Sequence, residues 1–338
     1  MPTIQEDISI KPYNTFGIEV KAKLFAEINN ESDLKALFQE PVVEQNKVLV
    51  LGGGSNMLFT QNYEGLVIRM HIPGISHEIQ GEEVTVTAGA GVIWTDLVQY
   101  CVKRGFGGME NLSLIPGTVG ASPIQNIGAY GVELKDVFLS CRAFERATGN
   151  IRLFNYEDCK FDYRESVFKR ELKGKYIITK VSFKLSTRPK INITYGAIQA
   201  ELGKRQITNP TISDISNLVS EIRVNKLPDP STIGNAGSFF KNPIIARSKY
   251  VELVAAYPDI VNYPVADDKV KLAAGWLIEQ CGFKGKKVGE TGTWKDQALV
   301  LVNYGNASGQ EVYGFSEKII DSVRTKYGVV LEREVNIL

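Results

Sequence analysis

Short apolar runs that end in glycine dominate the first half of the chain. Residues 47–51 (Lys-Val-Leu-Val-Leu) run directly into Gly52, which predicts a buried strand that opens into a glycine loop. Further strands are predicted at residues 66–70, 84–88, 137–145 and 176–183, and a helix at 95–103. These elements do not alternate regularly as βαβ units, so the pattern predicts an α+β fold and not a doubly wound sheet.

The pattern becomes helical near residues 209–210 (Asn-Pro). In residues 211–225 the apolar positions share one face, and Thr211 with Asp214 has the spacing of a capping box. Two more amphipathic helices are predicted at 271–281 and at 308–326, the latter opened by Ser308 and Glu311. Strands are predicted at 297–302 and 329–337. The change in pattern places a domain boundary within residues 210–225.

Composition and charge exclude several broad classes of protein. The 338 residues suffice for two or three domains, and 43% hydrophobic with 23% charged residues is typical of soluble globular proteins. A net charge of +1, with acids and bases mixed, gives no general attraction to nucleic acid. No apolar run is long enough for a bilayer and residues 1–11 do not resemble a signal peptide, so we expect a cytoplasmic protein. The four cysteines form no Cys-x-x-Cys pair, so we expect neither a metal site nor a disulfide framework.

Residues 234–243 (Gly-Asn-Ala-Gly-Ser-Phe-Phe-Lys-Asn-Pro) present the hydroxyl of Ser238 on a turn of small residues. A serine in this setting first suggests a nucleophile. However, the only histidines are His71 and His77, in a predicted surface loop, and no Gly-x-Ser-x-Gly elbow surrounds Ser238. A serine hydrolase is therefore disfavoured, and Ser238 needs another role.

Two glycine segments have the composition of ligand-binding loops. Residues 52–57 can turn several backbone N–H groups toward one anion, although a tight turn explains them equally well. They match neither the dinucleotide fingerprint nor a P-loop. Residues 115–131 contain glycines, prolines and amides with almost no charge, which favours contact with a large, partly apolar ligand over an internal crossover.

Ordered motifs along nearly the whole chain resemble the UDP-N-acetylenolpyruvoylglucosamine reductase family. The matching segments are residues 11–17, 52–56, 115–131, 163–164, 234–243 and 331–335. The resemblance implies a two-part FAD-binding domain of the vanillyl-alcohol-oxidase (PCMH) type and a smaller α+β substrate-binding domain. We expect the limits 1–70 and 71–215 for the two FAD-binding subdomains and 216–338 for the substrate-binding domain.

The same resemblance implies an activity. The enzyme would take hydride from NADPH through non-covalent FAD and reduce the enolpyruvyl group of UDP-N-acetylenolpyruvoylglucosamine to UDP-N-acetylmuramate, a peptidoglycan precursor. Hydride would come from flavin N5, Ser238 would donate the proton, and Arg164 with Glu334 would polarise the substrate carboxylate. We expect a monomer that binds neither nucleic acid nor membrane, of the subtype with a mobile tyrosine loop.

The other roles implied by the resemblance concern binding. The substrate would contact Tyr130, Tyr195, Lys226, Asn242 and Gln297. FAD would contact Gly52, Gly53, Gly54, Ser55, Asn56, Pro116, Gly117, Gly120, Ser122, Gln125, Asn126, Gly128, Ala129, Gly131 and Arg223.

Two other function classes remain open from the sequence. One is an oxidase of small alcohols or sugars with the same FAD-binding domain type, which would share the glycine segments but has no reason to carry Arg164, Ser238 and Glu334 together. The other is a nucleotide-sugar binder without flavin. Considered alone, Arg164 and Glu334 could also be solvated charges, Tyr195 could pack in a turn, and Lys226 could interact with a helix dipole.

Overall fold

The computed structural model of the protein describes residues 2–265 and 268–338. Its strands are β1 (Ile4–Ser9), β2 (Lys21–Ile28), β3 (Lys47–Leu51), β4 (Met57–Leu58), β5 (Tyr63–Met70), β6 (Ile75–Gln80), β7 (Glu83–Gly89), β8 (Gly128–Ala129), β9 (Val132–Glu133), β10 (Phe138–Glu145), β11 (Ile151–Asn155), β12 (Tyr176–Ser186), β13 (Gly234–Ser238), β14 (Ile244–Ala246), β15 (Asn262–Pro264), β16 (Lys269–Leu272), β17 (Lys287–Val288), β18 (Thr291–Thr293), β19 (Val300–Asn303) and β20 (Asn336–Ile337).

Helices connect and cover these strands. They are α1 (Glu31–Leu37), α2 (Pro41–Gln45), α3 (Trp94–Lys103), α4 (Tyr156–Cys159), α5 (Gly196–Lys204), α6 (Ile212–Lys226), α7 (Arg247–Ala256), α8 (Ala274–Gln280) and α9 (Gly309–Tyr327). Short 3-10 helices lie at Lys11–Tyr13, Glu110–Leu112, Val119–Ala121 and Leu134–Asp136. None of the helices in the described part of the chain has both the length and the apolar composition needed to cross a bilayer.

The chain divides into two compact units. The first comprises the chain up to Ile8, Ala22–Gly53 and Glu64–Asn225. The second comprises Ser9–Lys21, Gly54–Tyr63 and Lys226–Leu338. Each unit therefore combines segments that are distant in sequence.

The first unit contains two larger sheets and the two-stranded sheet β8-β9. One larger sheet has the strand order β1-β2-β5-β3, with β3 and β5 parallel, and the other has the order β11-β10-β12-β7-β6, with every pair antiparallel. Helix α3 buries Trp94, Leu97 and Cys101 against the second sheet, where Val84 and Val86 of β7 face the same core.

Helices α5 and α6 share a small core of their own in the first unit. Ile198 and Leu202 of α5 pack with Ile215, Leu218 and Ile222 of α6. The predicted capping box of α6 is confirmed, because the Thr211 N–H donates to Asp214 Oδ2 (2.8 Å) and the Asp214 N–H donates to Thr211 Oγ1 (3.2 Å).

The second unit contains a sheet of order β13-β19-β18-β17, a sheet of order β14-β16-β15 and the parallel pair β4-β20. Helix α9 buries Val312, Phe315, Ile319 and Val323, and its predicted Ser308/Glu311 capping box is present. The apolar period and the cap together explain why this helix begins where the sequence predicts.

The α+β fold class is confirmed, with local corrections. The helix predicted at 271–281 begins only at Ala274, because residues up to Leu272 complete strand β16. The strand predicted at 329–337 is regular only at Asn336–Ile337. His77 lies in strand β6 and not in a loop, although its side chain is exposed. The domain limits 1–70, 71–215 and 216–338 stay predictions; the 215/216 limit falls inside α6.

Candidate active site

The two glycine segments approach each other within the first unit. A methyl group on Gly52 would lie 2.5 Å from Thr118 Oγ1, and one on Gly53 would lie 3.0 Å from Gly117 Cα. Only glycine permits this contact between two loops. Thr118 Oγ1 is buried and has no hydrogen-bond partner among the described residues. A charge-free cradle with an unsatisfied hydroxyl fits a nucleotide cofactor better than a solvated turn. Thr118 was not predicted, and nothing in its sequence context distinguishes it.

Several polar side chains of residues 115–131 are used inside the protein. Ser122 Oγ donates to Val119 O (2.7 Å). Asn126 is fully buried; its Nδ2 donates to Glu133 Oε2 (3.1 Å), and its Oδ1 accepts from the Lys135 N–H (3.0 Å). These two side chains therefore hold the loop in shape. Gly120 is also explained by packing, since a methyl group there would lie 2.5 Å from Ala90 Cβ.

Arg164 is partly buried and tied to the same loop. Its Nη2 donates to Gly128 O (2.7 Å) and its Nη1 to Asn126 O (3.4 Å). The residue has a left-handed backbone, with φ of 55°, which a side chain adopts only where the surroundings hold it. This arrangement disfavours the interpretation of Arg164 as a solvated surface arginine.

Tyr130, Tyr195 and Arg223 form a cluster in the first unit. The rings of Tyr130 and Tyr195 meet edge to face, with centroids 5.2 Å apart, and Tyr195 directly precedes α5 with 41% of its surface exposed. The Arg223 side chain hydrogen-bonds Tyr130. Burial raises the pKa of Tyr130 against the opposing effect of Arg223, and burial lowers the pKa of the Arg223 guanidinium. Arg223, predicted to lie near FAD, is thus joined to a residue predicted to bind substrate.

In the second unit, backbone pairing brings the predicted proton donor beside the predicted acid. Ser238 is the exposed last residue of β13. The next residue, Phe239, accepts a hydrogen bond at its O from the Glu334 N–H (2.9 Å). Asn56 Nδ2 in turn donates to Glu334 O (3.2 Å). Residues separated by up to 278 positions therefore meet in one hydrogen-bonded group.

The glycine segment 52–56 continues into this group. Gly54 has φ of 60°, and a methyl group there would lie 2.0 Å from Tyr13 O, so no other residue fits. Asn56 O accepts from the Asn336 N–H (3.1 Å), which fixes the segment next to the end of the chain. Ser55 lies between these two anchored positions.

Asn242 and Gln297 meet at the first turn of α8. Asn242 Oδ1 accepts from the Ala274 N–H (2.9 Å), and a methyl group on Gly275 would lie 2.8 Å from Gln297 Oε1. This cap also explains why α8 begins at Ala274.

Two lysines of the second unit also bear on the site: Lys226, which was predicted to bind substrate, and Lys241, three residues after Ser238. Lys226 is exposed at the end of α6. The buried Lys241 forms an ion pair with Glu332 (2.5 Å). The remaining predicted positions, Pro116, Gln125, Ala129 and Gly131, lie in the glycine loop of the first unit, with Ala129 in β8.

Comparisons with known proteins identify the family of the chain. The family described as "FAD binding domain" matches residues 22–155, and the family described as "UDP-N-acetylenolpyruvoylglucosamine reductase, C-terminal domain" matches residues 229–338. A UDP-N-acetylenolpyruvoylglucosamine reductase from Flavobacterium johnsoniae is 48% identical over 339 residues, covering 99% of both chains. One from Chromobacterium violaceum is 47% identical over 335 residues, covering 98% of both.

A solved structure shares the fold. The UDP-N-acetylenolpyruvylglucosamine reductase from Thermus caldophilus aligns over 100% of this chain and 99% of its own, with a TM-score of 0.69 at 23% identity. The predicted fold class, including an FAD-binding domain, is thereby confirmed. The high identity over full length decides the family: the chain belongs to the UDP-N-acetylenolpyruvoylglucosamine reductases.

Proposed function

We propose that the protein catalyses the NADPH-dependent reduction of UDP-N-acetylenolpyruvoylglucosamine to UDP-N-acetylmuramate, in the cytoplasm, with FAD as a non-covalent cofactor. Relatives that carry this enzyme name match along the full chain. The observation that carries the proposal is the Glu334 N–H to Phe239 O hydrogen bond, because it brings the backbone of the proposed acid next to the residue that follows Ser238, the proposed proton donor.

The loops of the first unit are suited to hold FAD. The two loops lie close together at Gly52, Gly53 and Gly117. Thr118 offers a hydroxyl with no partner among the described residues. Backbone N–H groups in glycine loops suit pyrophosphate, and a loop without charges suits the flavin ring. Bound FAD, once reduced by NADPH, would supply the hydride for the reaction.

The carboxylate of the substrate needs polarisation. An enolpyruvyl ether is an electron-rich alkene and a poor hydride acceptor until negative charge can develop on its carboxylate. We assign Arg164 and Glu334 to that group, since a fixed cation and an acid stabilise charge that grows in the transition state. The hydrogen bond from Arg164 to Gly128 O fixes its guanidinium before substrate binds.

The proton is assigned to Ser238. Its hydroxyl is short, neutral and exposed, so it can reach the carbon next to the carboxylate and deliver a proton to one face. A serine is a weak acid, so a nearby cation must stabilise its conjugate base. Lys241 is engaged with Glu332. We therefore favour Lys226 for this role.

Residues of each unit are assigned to substrate binding. In the first unit, the rings of Tyr130 and Tyr195 are assigned to the UDP-sugar, and Arg223, which interacts with Tyr130, is assigned to FAD. In the second unit, Asn242, Gln297 and Lys226 supply amides and an ammonium group for the UDP-sugar.

An anaerobic two-step experiment tests the proposal. NADPH should bleach the flavin absorbance, and UDP-N-acetylenolpyruvoylglucosamine should then restore it without oxygen and yield UDP-N-acetylmuramate. UDP-N-acetylglucosamine, which lacks the enolpyruvyl group, should leave the flavin reduced. Reoxidation by oxygen alone would instead identify an oxidase.

A further inference from the structure

We infer that Asn235 and Gly237 are positioning residues that aim the Ser238 hydroxyl by building a bulge into strand β13. The inference rests on the proposed role of Ser238 as proton donor. It assigns a specific task to two neighbours in the Gly234–Ser238 strand that contact neither substrate nor cofactor in the proposal.

The bulge follows from the pairing of β13 with β19. Asn235 lies opposite Val302, and Ser238 lies opposite Val300, with a register shift between them. Two residues of β13 thus face one residue of β19. In a regular strand, residue 237 would stand opposite Val300, and Ser238 would move to the other face of the sheet. The bulge therefore decides on which side the hydroxyl lies.

Gly237 permits the bulge through its backbone angle. Its φ is 67°, in the left-handed region that side chains rarely adopt. Apart from its two chain neighbours, no heavy atom of the described residues lies within 4 Å of the place where its Cβ would be. A larger side chain would therefore fit at this position, and glycine is needed because of its positive φ.

Asn235 holds the bulge closed. It is 4% exposed, and its Oδ1 accepts from the Gly237 N–H (3.0 Å). Its Nδ2 donates to Ile233 O (2.8 Å) and Pro228 O (3.2 Å), and its main-chain N–H donates to Thr15 O (2.9 Å). Beyond the bulge, the Phe239 N–H donates to Leu299 O (2.9 Å). Ser238 is thus exposed between two firmly bonded positions.

Substitutions at Gly237 separate conformation from size. Asn tolerates the left-handed region better than Ala although it is larger. Gly237→Ala should therefore slow flavin reoxidation by saturating substrate about tenfold, whereas Gly237→Asn should stay within about threefold of wild type. Reduction by NADPH should be unchanged in both. Hydrogen exchange in residues 234–240 should rise in Gly237→Ala but not in Gly237→Asn.

Asn235→Ala should also slow flavin reoxidation by substrate, and hydrogen exchange at the Gly237 amide should become faster. Equal reoxidation rates for wild type, Gly237→Ala and Asn235→Ala, or Asn slower than Ala at position 237, would overturn the positioning role. Ser238→Ala in the same assay separates the proton-donor role of Ser238 from the positioning role of Asn235 and Gly237. If Ser238→Ala reoxidises at the wild-type rate, the proposed donor is wrong; if it is slow while Gly237→Ala and Asn235→Ala are normal, only the positioning is wrong.

Discussion

At the scale of single residues, exposure sets Ser238 apart from its neighbours. Asn235, Ala236, Phe239 and Phe240 are buried, whereas the Ser238 side chain is open to solvent. The sequence singled out this serine on a predicted turn, which is wrong, because residues 234–238 pair with β19 as a strand. The exposure of Ser238 follows from the bulge and from pairing on both sides. The same pairing places Glu334, which the sequence alone would leave as a solvated charge near the end of the chain.

Ser238→Ala should keep flavin reduction by NADPH and slow the second half-reaction by about 10²–10⁴-fold, the usual contribution of a positioned general acid. Stopped-flow absorbance of the flavin separates the two steps. Ser322→Ala, at a partly exposed serine on α9, is the control and should behave as wild type. Turnover near wild type in Ser238→Ala would contradict the assignment.

Glu334→Gln should likewise impair only the second half-reaction, by about 10²-fold, because an amide N–H is a weaker hydrogen-bond donor to the developing negative charge than a carboxylic acid O–H. The substitution keeps the size of the side chain and the Glu334 N–H bond to Phe239 O. Single-turnover kinetics give the measurement, and a slowed oxidation of NADPH would argue against this role.

At the scale of elements, local signals decide helices better than strands. The α9 cap was predicted because its two partners are three residues apart, and the structure contains both hydrogen bonds. The final predicted strand was wrong over most of its length. Arg333 makes only an isolated bridge with Phe240, and regular pairing returns at Asn336, opposite Met57. A strand depends on a partner that lies far away in sequence.

Removal of the α9 cap should lower stability. Ser308→Ala should reduce the melting temperature by about 2–4 °C, because the Glu311 N–H loses its acceptor. Ser322→Ala again serves as the control, since its hydroxyl bonds the helix interior at Lys318 O.

The loss of stability in Ser308→Ala should depend on pH. Hydrogen bonds from the Ser308 backbone and side chain lower the pKa of Glu311, so their stabilisation is present above the ordinary carboxyl pKa of about 4 and is lost as pH falls. The difference between Ser308→Ala and wild type should therefore shrink in acid. A constant difference down to low pH would contradict the reciprocal cap.

At the scale of the whole molecule, burial distinguishes the four cysteines. Cys101, Cys141 and Cys159 are buried, whereas Cys281 is partly exposed. Burial raises the pKa of Cys101 to about 12. The pKa of Cys141 is also raised, mainly by a hydrogen bond with Cys159 and to a smaller extent by burial. A raised pKa keeps these groups as unreactive thiols at neutral pH.

An aromatic disulfide reagent at about pH 8 should modify one thiol rapidly in the native protein and four after denaturation. Cys281→Ser should abolish the rapid phase and leave three thiols in the unfolded protein. Rapid modification of a second thiol in native wild type would show that the core around β10 or α3 is open.

The sequence by itself determined the local elements and the family. Apolar period and capping residues specify α6 and α9, and ordered motifs identify the chemistry of Ser238, Arg164 and Glu334 as hypotheses. Each of these signals is contained within a short stretch of neighbouring residues, so it can be recognised without knowledge of the tertiary structure.

Only the tertiary structure decided which distant groups meet. It gave Asn126 a role inside the loop, joined Arg223 to Tyr130 and set Glu334 beside Phe239. It also revealed a buried Thr118 hydroxyl that has no partner among the residues the structure describes. Each of these contacts joins segments that are separate in the chain, and its geometry depends on backbone pairing and packing that no local pattern encodes. Ser238 shows both levels: its motif is local, whereas the side on which its hydroxyl lies is set by pairing with β19.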